Sequence, residues 1–292
     1  MDEQMACAWT CRDRTLELTG RTRIMGILNA TPDSFYDGGR YNDPEAAVER
    51  GLRLIEEGAE MIDIGGESSR PGAGSVPESE ELARVVPVIE GLRNASGALL
   101  SIDTTKTAVA RGALEAGAHI INDITAGRAE ADGMLRLARE YGAGVVLMHM
   151  QGEPRTMQKN PAYHDVVAEV QAFLESRRAA AESAGVSRSS IVLDPGIGFG
   201  KTCAHNWELL SGLSALTELG SPLLVGLSRK RFLGELCGRP VAERLPASLA
   251  ALTHAVLGGA SIIRVHDVKE SCDAARVADR IRSKEGRNRC GT

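Results

Sequence analysis

The stretch Ala116-Gly117-Ala118-His119-Ile120-Ile121-Asn122-Asp123 contains the unit from which most of the chain is built. A helical segment ends on glycine, an apolar run follows at once, and the run closes on two polar side chains. Glycine at such a joint suits a left-handed helix C-cap, because it reaches positive φ without a steric cost. The joint recurs as Glu57-Gly58-Ala59, Tyr141-Gly142-Ala143 and Gly259-Ala260. These lead into Met61-Ile62-Asp63-Ile64, Val145-Val146-Leu147-Met148 and Ser261-Ile262-Ile263-Arg264. Further apolar runs near residues 24–29, 99–104, 191–194 and 223–228 bring the expected strands to eight.

Helical periodicity follows each run, over 45–57, 80–92, 109–115, 134–139, 166–182, 207–219, 247–257 and 273–282. Near-continuous apolar strands alternating with amphipathic helices describe a parallel sheet buried on both faces. Eight such units in 292 residues predict an α/β fold, a (β/α)8 TIM barrel closed on itself rather than an open doubly wound sheet. One domain is expected over 1–292, with residues 1–20 as an extension outside the repeat. Thr15 to Leu18 are expected to pair as a short hairpin with the first barrel strand and plug the barrel's lower end. The basic tail 284–292 reads as a frayed end.

Composition narrows the function. A hydrophobic content of 43% supports one large core. A formal charge of -5 and a pI near 5.8 create no global field for nucleic acid or an anionic membrane, so any anion site must be a local cluster. No apolar run is long enough to span a bilayer, and Met1-Asp2-Glu3 opens no charged-then-apolar leader, which points to the cytoplasm. The six cysteines are scattered without a C-x-x-C pair and read as free thiols.

In such a barrel the active site lies where the strands end. Those positions hold Asn29; Glu67 and Arg70; Asp103; Asn122 and Asp123; His149; Asp194; Ser228, Arg229 and Lys230; and Arg264, His266 and Asp267. Arg229, Lys230, Arg264 and His266 follow the last two strands, where barrels commonly bind phosphate. The competing reading is salt bridging to Asp267 and Glu270. Asp103 and Asp194 interrupt apolar strands, and a buried carboxylate needs donors or a counter-charge. A flat heterocycle bearing amine and ring N–H groups would supply them, as would Lys230 in a purely structural pair. Asn122 both donates and accepts.

The segment Asp194-Pro-Gly-Ile-Gly-Phe-Gly-Lys201-Thr is not a phosphate-binding P-loop, since proline stands at 195 where that motif needs glycine. Its glycines are expected to let backbone approach a flat ligand, with Phe199 as an apolar wall. Two glycine- and proline-rich loops, 31–39 and 65–73, are candidate lids.

The motifs Met25-Gly-Ile-Leu-Asn29-Ala-Thr-Pro-Asp-Ser-Phe35, Gly65-Gly-Glu-Ser-Ser-Arg70-Pro-Gly, Ser101-Ile-Asp103, Asn122-Asp-Ile, Met148-His-Met-Gln-Gly152, Leu193-Asp194-Pro-Gly, Gly226-Leu-Ser-Arg-Lys230 and Ile263-Arg264-Val-His266-Asp run in order along most of the chain. Together they resemble the dihydropteroate synthase family. The resemblance implies condensation of 6-hydroxymethyl-7,8-dihydropterin diphosphate with p-aminobenzoate, giving 7,8-dihydropteroate and diphosphate in folate biosynthesis.

It also implies roles. Asp103, Asn122, Asp194, Lys230 and Arg264 would read the pterin, in a pocket shaped by Met148, Phe199 and Gly226. Arg70, Arg264 and His266 would hold the diphosphate, which Asn29 would meet through Mg2+. Ser69, Arg70, Pro71 and Ser228 would take p-aminobenzoate. Asp37 would steady a pterin cation, so that catalysis falls to Asn29, Asp37, Lys230, Arg264 and His266. The family implies a homodimer.

One departure is Ser69, where many members carry threonine, which raises the question of a sulfonamide-insensitive variant. Three rivals share parts of this pattern. They are a Schiff-base aldolase using Lys230, a pterin-dependent methyltransferase and a non-catalytic pterin-binding paralogue.

Overall fold

The computed structural model describes residues 8–31, 44–68 and 74–283. Strands β1 (Ala8–Cys11) and β2 (Arg14–Glu17) form an antiparallel pair. A parallel eight-stranded sheet contains β3 (Arg23–Asn29), β4 (Met61–Gly65), β5 (Leu99–Asp103), β6 (Ile120–Asp123), β7 (Gly144–Met148), β8 (Ile191–Asp194), β9 (Leu224–Gly226) and β10 (Ile262–Val265). The helices are α1 (Pro44–Glu56), α2 (Glu78–Ala95), α3 (Thr107–Ala116), α4 (Gly133–Tyr141), α5 (Val166–Ser183), α6 (Cys203–Ser211), α7 (Leu213–Leu216), α8 (Arg231–Cys237), α9 (Leu245–Leu257) and α10 (Val268–Arg282).

Strands β3 to β8 pair in sequence order, while β10 lies between β3 and β9. The sheet closes between β8 and β9 at a single bridge, Leu193 to Leu223, where Leu193 N–H donates to the Pro222 carbonyl at 3.0 Å. The expected barrel is therefore present. The glycines at its helix-to-strand joints have positive φ at 58, 117, 142 and 259, the conformation in which a side chain would be strained.

The interior is layered. Met25, Met61, Leu99, Ile120, Val146, Val192, Leu224 and Ile262, one from each barrel strand, form a buried apolar cluster with Trp9 from β1. Trp9 is wholly buried, and its indole N–H donates to the Ser190 carbonyl at 2.9 Å. The N-terminal hairpin thus plugs this end, but its pairing differs from expectation: β2 pairs with β1, not with the first barrel strand. A two-residue turn, with Arg12 at φ 60, returns the chain on itself before it reaches β3.

Helical segments also depart from the periodicity. The 207–219 stretch breaks after Ser211 into α6, α7 and a short 3-10 turn. Here the C-cap Gly212 stands where an added Cβ would meet Val167 of α5 at 2.8 Å. No helix among the described residues is long and apolar enough to cross a membrane.

Candidate functional site

Side chains alternate along a strand, so the position two residues beyond each plug residue also points inward. In β4, β6, β7, β8, β9 and β10 those positions are Asp63, Asn122, Met148, Asp194, Gly226 and Arg264. In β5 the second step gives Asp103, and in β3 it gives Asn29. A polar layer therefore sits above the apolar plug, drawn from six of the eight strands, with Met148 and Gly226 completing it.

Arg264 organises one side of it. Its Nε donates to Asp63 Oδ2 at 2.6 Å and its Nη2 donates to Asp103 Oδ2 at 2.7 Å. Asn122 Nδ2 donates to the same Asp63 oxygen at 2.9 Å. Asp63 is fully buried, yet the strand-end reading passed over it. The signal was the one that exposed Asp103 and Asp194, a carboxylate interrupting an apolar strand. Two carboxylates share one guanidinium here, and burial, opposed by Arg264 and reinforced by Asp63, pushes the Asp103 carboxyl upward.

Asp194 and Lys230 occupy the other side. The Asp194 carboxylate accepts the Gly196 N–H at 2.7 Å, and burial pushes its pKa up to about 6. Burial lowers Lys230 to about 8, against the attraction of Asp194. The two form no salt bridge; Lys230 Nζ instead lies 4.3 Å from the centroid of the Phe199 ring. The sequence's alternative of a structural Asp-Lys pair is thus not what the side chains make. Met148 packs with Ile124, Met150 and Met157, and Phe199 lies against them. At Gly226 an added Cβ would come no closer than 4.0 Å to the Arg264 Cβ, so the missing side chain leaves room at the layer's centre.

Arg229 does not join the expected anion cluster. Its backbone is left-handed at φ 57, and its guanidinium holds Asp267 through two bonds of 2.5 and 3.0 Å, the competing reading of this residue. Lys230, Arg264 and His266 remain. The His266 ring and backbone N–H both meet the Ser228 hydroxyl, at 3.0 and 3.3 Å.

The glycines after β8 serve a different neighbour from the one expected. A Cβ at Gly196 or Gly200 would collide with the backbone of His149 or Gln151. Close approach is therefore to the loop after β7. Glu67, in the described part of the second candidate lid, pairs with Lys106 and accepts the Val76 N–H at 3.1 Å. A cavity of about 210 Å³ opens beside Asp103, lined also by Glu67, Lys106, Ile124 and Arg155. Asp37, Ser69, Arg70 and Pro71, with most of both lids, lie outside the described residues, as do Cys7 and Cys290. Among the described residues no group of three or more His, Cys, Asp or Glu is placed to hold a metal; Asn29 offers one amide oxygen at the end of β3.

A family model described as "Pterin binding enzyme" matches residues 25–266. The chain is 48% identical to the dihydropteroate synthase of Escherichia coli strain K12 over 256 residues, 88% of this chain and 90% of that protein. It is also similar to the Xanthomonas albilineans dihydropteroate synthase solved with 4-aminobenzoic acid. There the TM-score is 0.89 at 48% identity, covering 96% of this chain and 99% of the other. The same enzyme in complex with 7,8-dihydropteroate aligns at a TM-score of 0.85 and 46% identity, covering 94% and 99%.

Proposed function

The chain belongs to the pterin binding enzyme family, and we infer from that premise that the polar layer above the barrel plug is where a dihydropterin is held and joined to p-aminobenzoate. Its activity is dihydropteroate synthesis in folate biosynthesis, a group transfer that releases diphosphate. The observation that supports this placement is the convergence of Asp194, Asn122 and Arg264 on one inward layer, with Lys230, from the loop after β9, near enough for the charges of Asp194 and Arg264 to act on it.

In this reading Asp194 and Asn122 accept from the pterin amine and ring N–H groups, and Lys230 donates to the ring's acceptors. Met148 and Phe199 wall the ring, and Gly226 leaves it space. Asp63 and Asp103 hold Arg264 through Nε and Nη2, so that its Nη1 edge is left for the diphosphate together with His266 and, from outside the described residues, Arg70. Ser69, Arg70, Pro71 and Ser228 take p-aminobenzoate.

The C–O bond to diphosphate breaks with its electron pair passing to the leaving group. The carbon left behind is stabilised by the pterin ring, and we assign Asp37 to that cation. The aromatic amine's lone pair then forms the C–N bond, and the surplus proton leaves to solvent or to diphosphate. An aniline needs no prior deprotonation, so no dedicated base is required.

A divalent ion fits the donor set in one way only. The described residues provide no all-protein cage, and Mg2+ is commonly bound through few protein oxygens plus substrate phosphates. Asn29 is the residue we assign to it, and the ion would neutralise charge on the departing diphosphate.

We also propose a homodimer. Leu257 on α9 and Val277 and Ile281 on α10 are exposed at 43%, 58% and 62%, an apolar face suited to a second copy.

The test is Mg2+-dependent formation of dihydropteroate from the two substrates, with and without a sulfonamide. Product formation supports the reading. Pterin binding without product would favour a non-catalytic paralogue, and turnover that persists at high sulfonamide would point to Ser69.

A further inference from the structure

Lys201 closes the glycine-rich segment after β8, and the reaction outlined above leaves it without a role. It is 2% exposed, within the interior beside the site. Its Nζ lies 2.9 Å from His149 Nδ1 and donates to the Gly196 carbonyl at 2.9 Å and to the Phe199 carbonyl at 3.1 Å; when charged it donates to all three. An ammonium has three N–H donors, and all three are used. With Lys201 charged, Nδ1 is the acceptor and the neutral His149 ring carries its proton on Nε2. Burial, and then the charge of Lys201, hold His149 well below its ordinary range, at about 3.

The segment that Lys201 grips is fastened along its length. Gly198 N–H donates to Asn206 Oδ1 at 2.6 Å, Gln158 Nε2 to the Gly198 carbonyl at 2.7 Å, and the Tyr163 hydroxyl to the Gly200 carbonyl at 2.8 Å. What this turn presents to the site is the Phe199 ring, packed on Lys230. Burying an ammonium is costly, and an apolar residue would fill the space more cheaply. Its contacts are two carbonyls of this turn and the histidine that backs it.

We propose that Lys201 is a positioning residue, one that fixes the 196–199 turn through its carbonyls and so sets the Phe199 ring against Lys230 at the pterin pocket. The inference rests on the assignment of Phe199 and Lys230 to the pterin.

The test uses the full chain in four forms: wild type, Lys201→Met, Phe199→Leu and the double variant. Steady-state kinetics would be run for each substrate, beside thermal melts. Lys201→Met is expected to raise KM for the pterin diphosphate on the order of tenfold, with KM for p-aminobenzoate within about twofold. In the Phe199→Leu background the same substitution is expected to change pterin KM less than about twofold, because it acts through a ring already removed. An unchanged pterin KM in Lys201→Met, or an equal effect in both backgrounds, would overturn the proposal.

Should Lys201→Met fail to fold, nitrogen-15 NMR of the wild-type histidine rings decides. At about pH 6, where Lys201 is charged, an acceptor Nδ1 on His149 supports the arrangement, and a protonated Nδ1 refutes it. If the wild type neither binds pterin nor turns over, it is the assigned function that fails, an outcome separate from the others.

Discussion

Replacing Asp63 by alanine strips two donors of their shared acceptor: Arg264 Nε at 2.6 Å and Asn122 Nδ2 at 2.9 Å. Removing one partner of a buried ion pair costs about 3–5 kcal/mol. Arg264 keeps Asp103 on Nη2, and its side chain is 20% exposed, which places the cost at the lower end, about 3 kcal/mol. For a chain of this size about 1 kcal/mol corresponds to roughly 2–4 °C, so the thermal midpoint should fall by about 6–12 °C. Circular dichroism melts without ligand at neutral pH would measure it. Asp63→Asn, which restores an acceptor without charge, should recover part of the loss. A midpoint in Asp63→Ala within about 2 °C of wild type would refute the idea that this carboxylate holds the layer together.

The pH profile of kcat/KM for the pterin substrate should be bell-shaped, rising as Asp194 ionises near about 6 and falling as Lys230 loses its proton near about 8. A flat profile from pH 5 to 9 would contradict the assigned roles. Stability should follow a separate rule. Burial lowers Lys201 to about 7, so between that value and its ordinary 10.5 the unfolded chain binds more protons than the native one. Stability conferred on the fold therefore grows with rising pH through that window, and urea midpoints should show a smaller gain in Lys201→Met than in wild type. Trp9→Ala should cost about 3–5 kcal/mol by emptying the barrel's plug, measured by urea unfolding.

The barrel was legible because its repeat is local: glycine at a helix end, an apolar run, then polar residues. Asp103, Asn122, Asp194 and Arg264 were legible for the same reason, as polar residues closing apolar runs. Partnerships were not. Nothing in sequence spacing tells that Arg264 takes Asp63 and Asp103 as its partners, or that Arg229 turns away to Asp267, because these contacts join strands and loops remote along the chain. Asp63 was missed although the two-residue period from Met61 marks it as inward. The glycines at 196 and 200 were legible as close-approach positions, but whether the neighbour is a ligand or the backbone at 149–151 depends on packing between adjacent loops.

The ribbon of strands that makes the barrel has two ends, and they meet at one bridge between Leu193 and Leu223. Asp194 ends one flank of that seam, and Lys230 follows the other. A pterin held by both would therefore act as a rivet, fastening the barrel where its own hydrogen bonding is thinnest. Ligands gripping both flanks should slow amide exchange along β8 and β9 more than equally tight ligands seated on the outer loops, whereas the melting point follows affinity in both cases. Amide exchange at this seam, rather than the size of a thermal shift, would then single out ligands that span it.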